Sequence, residues 1–129
     1  MTVGEALLRP THIYSSMMYN IATTLNIQGM AHITGGGFIE NIPRMIPEGL
    51  AVRVRLGSWE MDPIFPLLAK WAGTGVDELY NTFNMGIGLV VAVAEEDCDA
   101  TCAAIKAGGF EPFVIGDVVK NTGKEVEFI

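Results

Sequence analysis

The chain has 129 residues, half of them hydrophobic, with a mean hydropathy of +0.34. One compact domain with an ordinary core follows, and intrinsic disorder is excluded. Eight Lys and Arg against fifteen Asp and Glu give a net charge of −7 with no basic stripe, which argues against general nucleic-acid binding.

The longest apolar run, Ile87–Ala94, falls far short of a membrane span. The N-terminal MTVGEALLRP lacks the apolar core and cleavage site of a secretory signal, so a cytoplasmic setting is expected. So apolar a composition is also consistent with surface that normally meets a partner, although composition alone does not establish one.

In chain order, Pro10-Thr11 precedes Ile13–Leu25, whose apolar residues at 13, 14, 17, 18, 21, 22 and 25 recur in steps of three and four. That spacing predicts an amphipathic helix with Thr11 as its cap. Gln28–Ile33 reads as an extended approach to Gly35-Gly36-Gly37. Phe38–Ile46 reads as a helix kept short or bent by Pro43.

Leu50–Leu56 alternates apolar and basic residues through Val52, Arg53, Val54 and Arg55, the pattern of a half-buried strand. Pro63–Ala72 is predicted to be a helix started by Asp62, with proline at its first position. Val76–Phe83 is a shorter helical piece, broken by Asn84-Met85-Gly86. Gly86–Ala94 reads as a buried strand because its apolar run is nearly continuous.

Glu95–Ala107 follows as a helix with acids in its first turn and Gly108-Gly109 behind it. Phe113–Val119 and Glu125–Ile129 are expected to be strands joined by the turn Asn121-Thr122-Gly123. No repeat or linker divides the chain, so residues 1–129 form one α+β domain of about four strands packed with helices. Cys98 and Cys102 share a helix face, but too few other ligands accompany them for a metal site, and both read as small core residues.

The chemistry concentrates in Ala31–Arg44, AHITGGGFIENIPR. Three consecutive glycines are either a tight turn or a loop whose N–H groups cradle an anion such as phosphate. No GxxxxGK[ST] motif is present, so this is not a Walker loop. His32 is either a packed side chain or a ligand-facing donor or proton carrier. Thr34 and Asn41 can bond a ligand or cap the local backbone. Arg44 offers a planar donor fork for phosphate, or else is solvated or paired with Glu40. Thr82–Gly88 is a second glycine-containing turn, with Gly88 allowing close packing.

These segments also resemble a known family in order along almost the whole chain. Gly4-Glu5-Ala6-Leu7-Leu8, Pro10-Thr11 with Ile13-Tyr14, and Gly29 through Phe38 are similar to the aminoimidazole ribonucleotide synthetases, the phosphoribosylformylglycinamidine cyclo-ligases. So are Glu40-Asn41-Ile42-Pro43-Arg44, Gly57-Ser58-Trp59, Pro63-Ile64-Phe65, Thr82 through Gly88, and Ile115-Gly116-Asp117-Val118. His12 departs from the arginine common in that family.

The resemblance implies a C-terminal domain with a mainly antiparallel, partly ferredoxin-like sheet. An N-terminal domain, not contained in this chain, would form the homodimer and bind most of the ATP and Mg2+. It further implies an enzyme that uses ATP to close the imidazole ring of formylglycinamidine ribonucleotide, giving aminoimidazole ribonucleotide, ADP and phosphate. His32 would be catalytic, Thr34, Gly35, Gly36, Gly37, Asn41 and Arg44 would bind substrate or phosphate, and no metal ligand is expected here. The chain by itself is expected to be inactive. The alternatives are the same domain of a formylglycinamide ribonucleotide amidotransferase or thiamine-monophosphate kinase, or a stand-alone nucleotide-binding module.

Overall fold

The computed structural model describes residues Met1–Ile129, and its strands fall into two small sheets. In the first, β1 (Ile27–His32) and β3 (Leu89–Val93) pair antiparallel. In the second, β2 (Leu50–Val54) lies between β4 (Gly116–Lys120), antiparallel to it, and β5 (Val126–Phe128), parallel to it. The expected alternation in β2 is present: Val52 and Val54 are buried, while Arg53 and Arg55 reach across to Asp117 at 4.0 and 2.9 Å. Those pairs are solvent-exposed and contribute at most about 1 kcal/mol each.

The helices follow the predicted order with shifted starts. A short α1 (Val3–Leu7) is held by a capping box, Thr2 accepting from the Glu5 N–H while the Glu5 carboxylate accepts from the Thr2 N–H. The amphipathic helix α2 spans Ser15–Thr24 and buries Met17 and Ile21. Its N-cap is Tyr14 with no side-chain cap, so Thr11 does not fill that role. Next, α3 (Gly37–Asn41) tightens into a 3₁₀ turn over Ile42–Met45, the bend expected of Pro43.

In α4 (Ile64–Ala72) the Asp62 carboxylate accepts from the Ile64 N–H at 3.1 Å, and Gly73 at φ +68° ends the helix. A 3₁₀ segment covers Val76–Asn81, and α5 (Cys98–Ala107) follows a 3₁₀ turn at Glu95–Asp97. No helix is long and apolar enough to cross a membrane.

The core gathers around Phe38, which is fully buried. Its ring meets Trp59, Tyr80 and Phe128 at centroid distances of 5.7, 5.5 and 6.4 Å. Each such pair adds about 0.5–1.5 kcal/mol beyond area burial. Trp59 keeps its polar edge satisfied by donating Nε1–H to the Met85 carbonyl at 2.9 Å. This cluster fixes α3, and with it the glycine turn, against the three-stranded sheet.

Three expectations need correction. Gly86–Ala94 is not a strand buried on both sides: β3 is an edge strand, and within Leu89–Val93 only Val90 is buried. The last two strands, joined by the Asn121–Gly123 turn, do not form a hairpin, because β2 lies between them. Cys98 and Cys102 are free and half-buried rather than core residues. Burial, then the neighbouring Cys98, pushes the Cys102 thiol pKa up.

Candidate functional site

The two-residue period of β1 decides what its end displays. Ala31 and Ile33 point into the core, so His32 and Thr34 face outward, both exposed. Pairing continues one residue further, the Ile33 N–H donating to the Gly88 carbonyl at 2.9 Å. The chain then turns, with the Gly37 N–H donating to the Thr34 carbonyl at 3.0 Å.

The three glycines have three different reasons. Gly37 sits at φ +58°, and a Cβ there would strike the carbonyl oxygens of Tyr80 and Phe83. Close packing beneath the loop thus demands it. Gly36, at φ +93°, would meet only the side chain of Glu40, whose carboxylate rests beside the loop. Gly35 is exposed, has an ordinary φ, and would meet nothing within 4 Å. Nothing inside the protein requires Gly35 to be glycine. The N–H groups of Gly35 and Gly36 also make no hydrogen bond within the chain.

Asn41 is 1% exposed, and its amide donates to the carbonyls of Thr34, Gly35 and Gly37 at 3.2, 3.2 and 2.8 Å. It holds the loop's shape from below, with its side chain buried. Arg44 is exposed and forms no ion pair, with Glu40 or any other acid. It lies in the 3₁₀ turn Ile42–Met45, separated from the glycine loop by the whole of α3. The structure therefore groups His32, Thr34, Gly35 and Gly36 on one outer surface, sets Asn41 beneath them, and leaves Arg44 beyond α3 in the 3₁₀ turn. Because α3 has only five residues, the loop offers free N–H groups rather than a helix dipole.

Tyr14 is the neighbour that sequence reasoning missed. Its ring packs edge-on to His32 at 5.9 Å and lies 4.9 Å from Phe110, with His12 at 5.9 Å. Its hydroxyl occupies the space a Cβ of Gly88 would need, so Gly88 does serve close packing. Burial raises the Tyr14 pKa, and a hydrogen bond with the Gly88 backbone partly offsets that rise. A cavity of about 330 Å³ beside this cluster is lined by His12, Ile13, Tyr14, Ser15, Met18 and His32. In the sequence Tyr14 is one position of an apolar stripe and part of the Ile13-Tyr14 pair in the family resemblance, and neither gives it a place at the site.

No three side chains of His, Cys, Asp or Glu converge anywhere in the chain. The residues present therefore do not fit a Mg2+ shell of their own.

The family model for the C-terminal domain of AIR synthase related proteins matches residues 1–129. The chain belongs to this family. As an AIR synthase related C-terminal domain, it is 46% identical over 121 residues to the phosphoribosylformylglycinamidine cyclo-ligase of Bacillus cytotoxicus. It is 48% identical over 121 residues to that of Bacillus thuringiensis subsp. konkukian. Each match covers 94% of this chain and 35% of the relative, so the domain spans about a third of their length. Two crystal structures of E. coli HypE, one titled a hydrogenase maturation protein, share the fold at TM-scores of 0.66 and 0.67 and 18% identity. They match 90% and 98% of this chain and 36% and 40% of their own.

Proposed function

We propose that this domain is one wall of the active-site cleft of a phosphoribosylformylglycinamidine cyclo-ligase, an ATP-dependent enzyme of purine biosynthesis working in the cytoplasm. The observation that carries the reading is the 46–48% identity to enzymes of that name over 121 residues, a stretch covering 94% of the chain. The fold shared with HypE adds architecture only. Support from geometry comes from Gly35, a bare position that no internal contact explains, flanked by the unbonded N–H of Gly36 and the outward His32 and Thr34.

The substrate's formyl oxygen must be phosphorylated, the amidine nitrogen must attack that carbon, and phosphate must leave. Such chemistry depends on placing phosphates and managing one proton. The Gly35 and Gly36 N–H groups would receive phosphate oxygens, and the Thr34 hydroxyl would add a donor. His32, oriented by the Tyr14 ring, would donate to the same group or carry the proton. Asn41 would keep the three loop carbonyls turned inward so that the N–H groups face the ligand. Glu40 has to swing away as an anion arrives, since its carboxylate lies beside Gly36. ATP and its Mg2+ would be held mostly by the part of the enzyme outside this domain, and Arg44 would meet the ligand only from the 3₁₀ turn beyond α3.

The test is His32→Ala and Gly35→Ala in the complete enzyme carrying this domain, with ADP and aminoimidazole ribonucleotide measured together. His32→Ala is expected to lower kcat by about 10²-fold or more, and Gly35→Ala to raise KM for a phosphate-bearing substrate. Near-normal constants for both variants would overturn the assignment. The 129-residue chain alone is expected to release no ADP.

A further inference from the structure

A wide concavity lies away from the glycine loop. A groove of about 1020 Å³ runs between β3 and the segment that leads into β4. Each wall contributes a consecutive run, Leu89–Ala94 on one side and Gly109–Val118 on the other. Strands present themselves in this way edge-on, since face-on only alternate residues would appear.

The register explains what the edges offer. Because the Ile33 N–H bonds the Gly88 carbonyl, the pairs Ala31↔Val90 and Gly29↔Ala92 carry the ladder to β1. Leu89 and Val91 therefore turn their N–H and C=O groups away from β1. On the other wall the Arg55 N–H bonds the Ile115 carbonyl, so Asp117 and Val119 face β2 while Gly116 and Val118 turn outward. Neither outward edge has a backbone partner, and all four outward residues line the groove.

The sequence of β3 suits an interior strand. Leu89–Ala94 is an unbroken apolar run without the Lys, Pro or inward charge that blunts an edge. Across the groove Phe113, Val114 and Val118 are 42%, 52% and 47% exposed. Size agrees as well. A strand in a sheet fills a slot about 4.8 Å wide, 10 Å deep and 3.4 Å per residue, roughly 160 Å³ each, so the groove takes about six residues. One wall is the five-residue β3, and the other is the non-strand stretch Gly109–Ile115 with the first three residues of β4.

We propose that one extended, largely apolar segment of about six residues inserts between β3 and β4 and pairs with both. The two sheets then become one, in the order β1-β3-insert-β4-β2-β5. The segment is supplied by the portion of the enzyme that this chain does not span, about two thirds of the relatives' length. A second copy suits the groove poorly: it would bring a further charge of −7 and two more unpaired edges of its own.

The test uses the ¹⁵N-labelled chain and short overlapping synthetic peptides tiled across the part of the Bacillus cytotoxicus cyclo-ligase outside the aligned 121 residues. One peptide is expected to slow hydrogen exchange at Leu89, Val91, Gly116 and Val118 together, by roughly tenfold or more. Val91→Pro and Val118→Pro remove outward donors only and should abolish that protection with α2 and α5 still folded by circular dichroism. Three results would overturn the proposal: no peptide protecting both edges, the four amides already protected in a monomeric chain, or a dimer in sedimentation with those amides at its interface. Since the readout is exchange and not turnover, the outcome is independent of the catalytic assignment.

Discussion

Alanine substitution of the loop glycines, one at a time, separates packing from ligand access. In Gly37→Ala a left-handed φ of +58° costs about 1–2 kcal/mol for a residue with a Cβ. Displacing the Tyr80 and Phe83 carbonyls adds about 1–3 kcal/mol of overpacking. Gly36→Ala carries the backbone term, about 1–2 kcal/mol, plus a contact with the Glu40 Cβ, which is fixed to α3 and, unlike the carboxylate, cannot swing aside. Gly35→Ala meets nothing and should stay within about 0.5 kcal/mol of the parent. For a chain of this size 1 kcal/mol corresponds to about 4 °C in Tm. The expected falls in calorimetry are then roughly 8–20 °C, at least 4–8 °C and under 2 °C for positions 37, 36 and 35. A flat series, or Gly35→Ala as damaging as Gly37→Ala, would refute the division of roles.

Asn41→Ala strips donors from three loop carbonyls and should cost about 2–3 kcal/mol in urea unfolding; a loss below about 0.5 kcal/mol would contradict the staple. Tyr14 and Tyr80 both have pKa values raised by burial from the ordinary 10.0. Their contribution is therefore complete below about pH 10 and lost as pH rises through the higher folded values. Alkaline unfolding curves should accordingly flatten in Tyr14→Phe and Tyr80→Phe, and an unchanged slope would show that neither tyrosine matters there.

Local chemistry was legible in the sequence wherever a local rule decides. The Val52-Arg53-Val54-Arg55 alternation placed β2, the steps of three and four placed α2, and Pro43 announced the tightened turn after α3. Tertiary facts were not legible. Nothing near Gly37 in sequence says that the carbonyls of Tyr80 and Phe83 press on it, so three glycines with separate causes read as one motif. Asn41 could equally bond a ligand or the backbone, and only its burial under the loop decided where its amide points. The apolar run of β3 correctly signalled a strand, but its place at a sheet edge is a tertiary fact that the run does not encode. Strand order around β2 depends on a parallel contact with β5 that no turn residue encodes.

The most direct test of the account is a chimera in which this domain replaces the aligned 121-residue segment of the Bacillus cytotoxicus cyclo-ligase. The assay is ATP-dependent conversion of formylglycinamidine ribonucleotide to aminoimidazole ribonucleotide. The account predicts turnover within about tenfold of the parent, a loss of under roughly 1.4 kcal/mol in transition-state stabilisation. A chimera that folds and binds ATP but forms no aminoimidazole ribonucleotide would contradict it.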